Sequence, residues 1–185
     1  MIELFLLAMW LMLPAYIANP VAALTGGGTP IDLGRKFSDG KRILGDGKTY
    51  RGLIVGTACG LVVGVAQILL APHIAPYFSG YFDATPFLQT PYIWAVTMPL
   101  GALLGDIVKS FFKRRLGLKR GAMLPVADQL DFVAGAWLLT FLAAPSWFMA
   151  HYSLGVILIV VIVTPILHVA TNVVGFKLGK KDVPW

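Results

Sequence analysis

The chain has 185 residues, 57% of them hydrophobic and 13% charged, with a formal net charge of +6. Soluble domains carry about 25% charged residues, so this composition excludes an ordinary soluble domain and points to one compact membrane bundle, 1–185. The lone Cys59 has no partner for an internal disulfide.

Apolar runs at 2–24, 53–72, 91–112, 124–144 and 153–176 each approach the ~20 residues that a helix needs to cross ~30 Å of hydrocarbon. They predict an all-α polytopic protein with five transmembrane helices. The first run lacks a basic leader, carries Glu3, and is too long for a signal-peptide core, so it reads as a span. The loop that follows, 25–52, contains GGG, TP, SDG and GDG, which is turn chemistry held in water or at the head groups. Its GDGKTYRG stretch is not a Walker A motif, because Arg42 stands where the first glycine belongs. Glycine-freed amides with Lys48, Thr49 and Arg51 could still grip phosphate, and a plain solvated loop is the alternative. In the second span, glycines at 52, 56, 60 and 64 form one stripe suited to close helix packing, as do Gly101 and Gly105 in the third.

The third span ends GDIVKSFFKRR, with Asp106, Ser110 and Lys113 on one helical face and Lys109 beside them. An ionised Asp106 at that depth needs a partner, either Lys109, Ser110 or a cation. After a short basic loop, 113–123, the fourth span opens PVADQLDF. Pro125 suits a first-turn position, and Asp128 there favours the helix dipole. Capping explains Asp131 less well, because it lies deeper and only apolar residues follow it. The fifth span carries His168 and Asn172 one turn apart, for which a hydrogen bond between helices is the simplest reading.

The fifteen lysines and arginines fix an orientation. Arg35, Lys36, Lys41, Arg42, Lys48 and Arg51 fall in the first loop. Lys109, Lys113, Arg114, Arg115, Lys119 and Arg120 fall around the second, and Lys177, Lys180 and Lys181 in the tail. Segments 73–90 and 145–152 contain none, which predicts the N-terminus outside and the C-terminus in the cytoplasm. The net charge therefore marks a membrane face, with no nucleic acid implied. All three acids, Asp106, Asp128 and Asp131, then lie at inner depth on neighbouring antiparallel helices. They cannot stay ionised together without a counter-charge, and oxygen-only ligation suits Mg²⁺ shared with substrate phosphates.

The motifs ILGDGKTYRG, GDIVKSFFKRR, PVADQLDF and the tail HVATN…KLGKKDVPW resemble the CDP-archaeol synthase family along nearly the whole chain. Phosphatidate cytidylyltransferases share a related acid, Ser, Lys-Arg and paired-Asp signature. The extra N-terminal spans and His-Gly-Gly stretch of those enzymes are missing here, which favours the archaeal family. The resemblance implies transfer of a cytidylyl group from CTP to unsaturated archaetidic acid, an isoprenoid glyceryl phosphate lipid, at the cytoplasmic side of the cell membrane. It implies metal binding by Asp106, Asp128 and Asp131, with Lys113, Asp128 and Asp131 as the catalytic set. Ser110, Lys113 and Arg114, with Asp46, Lys48, Thr49 and Arg51 of the first loop, would meet CTP and its phosphates. His168 and Asn172 would support that set from behind, and a homodimer stays open as the assembly. An ion-coupled transporter is disfavoured because the outer half offers only Asp83. A CDP-alcohol phosphotransferase is disfavoured because FVAGAW follows Asp131 where that family continues its acidic motif.

Overall fold

The computed structural model describes residues 2–78, 84–118, 122, 124, 127–177 and 179. Asp83, Lys119, Arg120, Pro125, Lys180 and Lys181 lie outside the described residues. Seven helices follow in order: α1 (Ile2–Thr25), α2 (Tyr50–Phe78), α3 (Thr85–Leu88), α4 (Tyr92–Arg115), α5 (Ala127–Ala143), α6 (Pro145–His151) and α7 (Leu154–Lys177). Among the described residues there is no strand, only isolated antiparallel bridges Pro30–Thr49 and Lys36–Arg42.

Among the described residues four helices, α1, α2, α4 and α7, are long and apolar enough to cross a membrane. Five spans were expected. The helix corresponding to the fourth, α5, has 17 residues, which rise only about 25 Å at ~1.5 Å each. Its described part begins at Ala127, and the Asp128 amide donates to the Leu124 carbonyl at 2.9 Å in helical i to i−4 fashion. Two other helices run longer than expected. α2 continues through Pro72 and Pro76 to Phe78, and α4 runs to Arg115, so Lys113 and Arg114 ride on a helix instead of a loop. Prolines inside membrane helices are tolerated because neighbouring groups re-satisfy the freed carbonyls. The segments expected as outer loops contain the short helices α3 and α6.

The glycine stripe does what its spacing suggests. A Cβ at Gly56 would stand 2.8 Å from the Ala18 carbonyl oxygen, and one at Gly101 would stand 2.6 Å from that of Gly135. Backbones this close leave no room for a larger residue, so small side chains set the spacing where lipid offers no hydrophobic drive. The same contacts give directions. Gly52 faces Ala22 and Gly60 faces Pro14, so α1 and α2 run antiparallel. Gly60 meets Pro99 and Gly64 meets Ala95, which makes α4 antiparallel to α2. Gly101 meets Ala136, and Thr97 hydrogen-bonds Thr140 at 2.9 Å, so α5 returns antiparallel to α4. α7 runs parallel to α1, with Gly155 against Leu4 and the Tyr16 hydroxyl 2.7 Å from Thr164 Oγ1. Leu11, Met12, Trp94, Met98, Val133, Val156 and Val160 fill the centre.

The first loop is anchored by a residue that its sequence does not advertise. Asp32 has no exposed side-chain surface. It accepts from Arg42 Nη2 at 2.8 Å and Nε at 3.1 Å, and from the amides of Gly34 (3.1 Å), Leu44 (2.9 Å) and Gly45 (2.9 Å). The Arg42 guanidinium, with those amides, holds the Asp32 carboxyl well below the usual carboxylate range. Arg115 then fastens the loop to α4. It donates to the Arg42 carbonyl at 2.5 Å, pairs with Asp39 at 3.2 Å, and stacks over Phe37 and Phe111. Asp32→Ala leaves Arg42 only the exposed Asp46 and strands three amides, and is expected to destabilise the loop by about 3 kcal/mol. Faster proteolytic cleavage between residues 26 and 49 would be the readout. Because the folded-state pKa is depressed, this stabilisation is complete at neutral pH. It is lost only as pH falls below the ordinary Asp value of ~3.9 toward the lowered one.

Candidate active site

The last turns of α4 carry Asp106, Lys109, Ser110 and Lys113 at helical spacing, so they project together from one side. The opening of α5 brings Asp128 and Asp131 against them. Gly105 makes this approach feasible: a Cβ there would collide with the Asp131 carbonyl. From the first loop, Lys48 reaches in and forms an ion pair with Asp106.

Three carboxylates and three ammonium groups thereby form one cluster. Lys109 Nζ stands at its centre, 3.0 Å from Asp106 Oδ1, 3.0 Å from Asp131 Oδ2 and 3.4 Å from Asp128 Oδ1. Lys113 Nζ lies 3.0 Å from both Asp128 oxygens and donates to the Ala122 carbonyl at 2.5 Å. Asp128 also accepts from the Leu124 amide at 2.6 Å, so the capping role expected of it is present alongside its Lys113 pair. Asp131 is the most enclosed of the acids, its side chain 7% exposed. Its two oxygens accept no hydrogen bond among the described residues, and the Lys109 ion pair is what faces them. The sequence reading took Lys109 as one candidate partner for Asp106. The structure gives it all three acids.

The remaining candidates divide into those near the cluster and those spent on structure. Ser110 donates to the Asp106 carbonyl at 2.9 Å and stays buried. Thr49 caps α2 by accepting from the Gly52 amide at 3.1 Å. Arg51 binds the Thr25 carbonyl at 2.7 Å and the Gly26 carbonyl, closing the end of α1. Asp46 is exposed and pairs with Arg42 at 2.9 Å. Arg114 keeps its Nε buried without an acceptor among the described residues. His168 and Asn172 bond each other at 3.2 Å within α7, and each has a further interaction besides.

A cavity of about 90 Å³ adjoins the cluster, lined by Lys48, Thr49 and Asp106 on its polar side and by Leu53, Leu103 and Ile107 on its apolar side. Asn19 of α1 also lines it, with its Oδ1 buried and unbonded among the described residues. Sequence reasoning passed over Asn19, although an amide inside an apolar span is a signal in its own right.

Among the described residues, no group of three or more Asp, Glu, His or Cys is arrayed around a metal position. The donor set nevertheless fits a hard divalent cation. Three carboxylates converge on one ammonium, and that shared ammonium, 3.0 Å away, is the cation facing the most enclosed of them.

Comparisons with known proteins show the family to which the chain belongs. The family model described as CarS-like, CDP-archaeol synthase, matches residues 1–185. A CDP-archaeol synthase of Methanocella arvoryzae is 64% identical over 174 residues, covering 94% of this chain and 100% of its own length. Those of Methanosarcina barkeri and Methanosarcina acetivorans are 50% and 51% identical over 181 residues, with the same coverage. A solved structure described as an intramembrane enzyme for archaeal membrane lipids biosynthesis is 37% identical, with a TM-score of 0.69 over 90% of this chain and 92% of that one. Four long apolar helices and this likeness make the chain a multi-pass membrane protein. Matched from end to end by the family model and along 94% of its length by these relatives, the chain belongs to the CDP-archaeol synthase family.

Proposed function

We propose that the protein transfers the cytidylyl group of CTP to unsaturated archaetidic acid, giving CDP-archaeol and pyrophosphate, with Mg²⁺ held by Asp106, Asp128 and Asp131. Family membership makes it a cytidylyltransferase of archaeal lipid synthesis. The observation that carries the finer reading is the convergence of three carboxylates, from two helices, on a single ammonium beside two further lysines.

A lipid phosphate oxygen attacks the α-phosphorus of CTP, the bond to the bridging oxygen breaks, and pyrophosphate leaves. The attacking phosphate monoester has a second pKa near ~6, so it is already largely dianionic at neutral pH and needs no general base. Catalysis reduces to bringing two anions together, aligning them and neutralising the charge that develops on the leaving group. Lys48 and Lys113 are the cations that this chain offers for the task, with Arg114 beside them at the end of α4. The surrounding helices exclude water and keep the lipid tails in the bilayer. When bound at the three carboxylates, Mg²⁺ supplies the neutralisation and alignment of the triphosphate that lysines alone give incompletely.

The helix directions support a five-crossing topology. Because α7 is parallel to α1, an odd number of passes must separate them. α2 and α4 account for two, and α5 for the third. The described first-loop cations and the basic end of α4 share one end of the bundle, where Lys41 donates to the Arg115 carbonyl at 2.9 Å. The positive-inside rule puts that end, the site and the C-terminus in the cytoplasm and the N-terminus outside.

Purified protein in detergent, given labelled CTP, Mg²⁺ and digeranylgeranylglyceryl phosphate, is expected to yield CDP-lipid on thin-layer chromatography. Excess EDTA should stop the reaction, and re-added Mg²⁺ should restore it. Product formation undiminished in EDTA would remove the metal from the mechanism.

A further inference from the structure

We infer that Lys109 is a built-in substitute for the divalent cation: its ammonium holds Asp106, Asp128 and Asp131 together when no metal is bound, and must leave before one can occupy their midst. The inference rests on the metal reading above, and adds what the chain itself does at that position.

The geometry is specific. Lys109 Nζ is the only described cation within 4 Å of all three carboxylates, at 3.0, 3.0 and 3.4 Å. A divalent ion ligated by the same oxygens would sit where this ammonium sits, so the two exclude each other. The lysine has reason to be there. Three ionised carboxylates packed between α4 and α5 repel one another, and an empty site would either protonate or push the helices apart. Lys109 grows from α4 one turn below Lys113, so it can swing aside by side-chain rotation without moving the helix.

Charge balance gives this arrangement a consequence. Asp106, Asp128 and Asp131 are matched by Lys48, Lys109 and Lys113, so the cluster is neutral as it stands. A divalent cation entering alone would leave it doubly positive, with three lysines opposing it. Nucleoside triphosphate entering alongside cancels that excess and gives the displaced Lys109 an anion to meet. Metal and nucleotide should therefore bind with strong positive coupling, and Lys109 is the residue that imposes it.

The test uses full-length protein in detergent and Mn²⁺ as the probe, followed by electron paramagnetic resonance. Wild type should bind Mn²⁺ weakly alone and much more tightly with a non-reactive CTP analogue. Lys109→Met, which keeps the bulk and removes the charge, should bind Mn²⁺ alone at least about tenfold more tightly. Its coupling to the nucleotide analogue should shrink correspondingly, and Lys109→Arg should retain the wild-type pattern. Equal or weaker Mn²⁺ binding by folded Lys109→Met would overturn the inference. If Lys109→Met does not fold, Lys109→Gln, which keeps a hydrogen-bond donor toward the carboxylates and removes the charge, answers the question: it should also bind Mn²⁺ alone at least about tenfold more tightly, and equal or weaker binding would overturn the inference. Failure of the metal reading looks different: wild type would bind no Mn²⁺ even with the analogue, and both proposals would fall.

Discussion

Asp131→Asn is expected to lower CDP-lipid formation by at least about 100- to 1,000-fold while the protein still inserts and folds. The substitution preserves shape and removes one negative charge from the most enclosed carboxylate of the cluster. Asp131 accepts no hydrogen bond among the described residues, so its replacement strands no donor except the Lys109 ammonium. That ammonium keeps Asp106 and Asp128 as partners, which is why folding should survive. A carboxylate kept in such a place with one shared ammonium as its partner is costly, and a cation-binding role accounts for the cost. Initial rates at saturating CTP and lipid, set beside thermal unfolding in the same detergent, separate the two effects. Full activity would exclude Asp131 from the metal site.

Lys113→Ala should act on the other substrate contact, raising KM for CTP by about 10- to 100-fold with a smaller effect on the lipid KM. Lys113 is nearly buried, yet its ammonium touches only Asp128 and the Ala122 carbonyl among the described residues. It stands at the rim between the acids and the basic end of α4, where an entering triphosphate would meet it. Varying CTP at saturating lipid, and then lipid at saturating CTP, resolves the split. Lys113→Arg keeps the charge and should recover part of the CTP affinity. An unaltered CTP dependence in Lys113→Ala would detach the residue from the nucleotide.

How much of this could be read in advance depended on how local the signal was. The α2 glycines announced a packing face because their four-residue period is itself the geometry of a helix stripe, and each of the four abuts α1 or α4. Asp106, Asp128 and Asp131 stood out because charge in an apolar run is costly wherever the helices go. Their convergence followed from the short connection between α4 and α5. Asp32 was overlooked, since an acid in a loop of turns looks solvated until the chain folds ten residues back to bring Arg42 against it. Lys109 was read only as a neighbour of Asp106, because spacing along α4 says nothing of what α5 presents to it. Arg51 has a structural partner that spacing alone did not reveal. It lies in a phosphate-like motif, but here it closes the carbonyl end of α1.

The smallness of the cavity beside Lys48 and Asp106 bears on timing. Pockets that receive small molecules usually enclose about 300–1,000 Å³, and this one offers about 90 Å³, room for a few waters. As described, that space is too small for a nucleotide. If the nucleotide binds there as proposed, its entry would need Lys48 to release Asp106 and the strap that carries it to lift. Asp32 makes that strap one piece and Arg115 ties it to α4, so lifting would have to break the Arg115 contacts, and how often it did so would set a ceiling on turnover independent of the bond-making step.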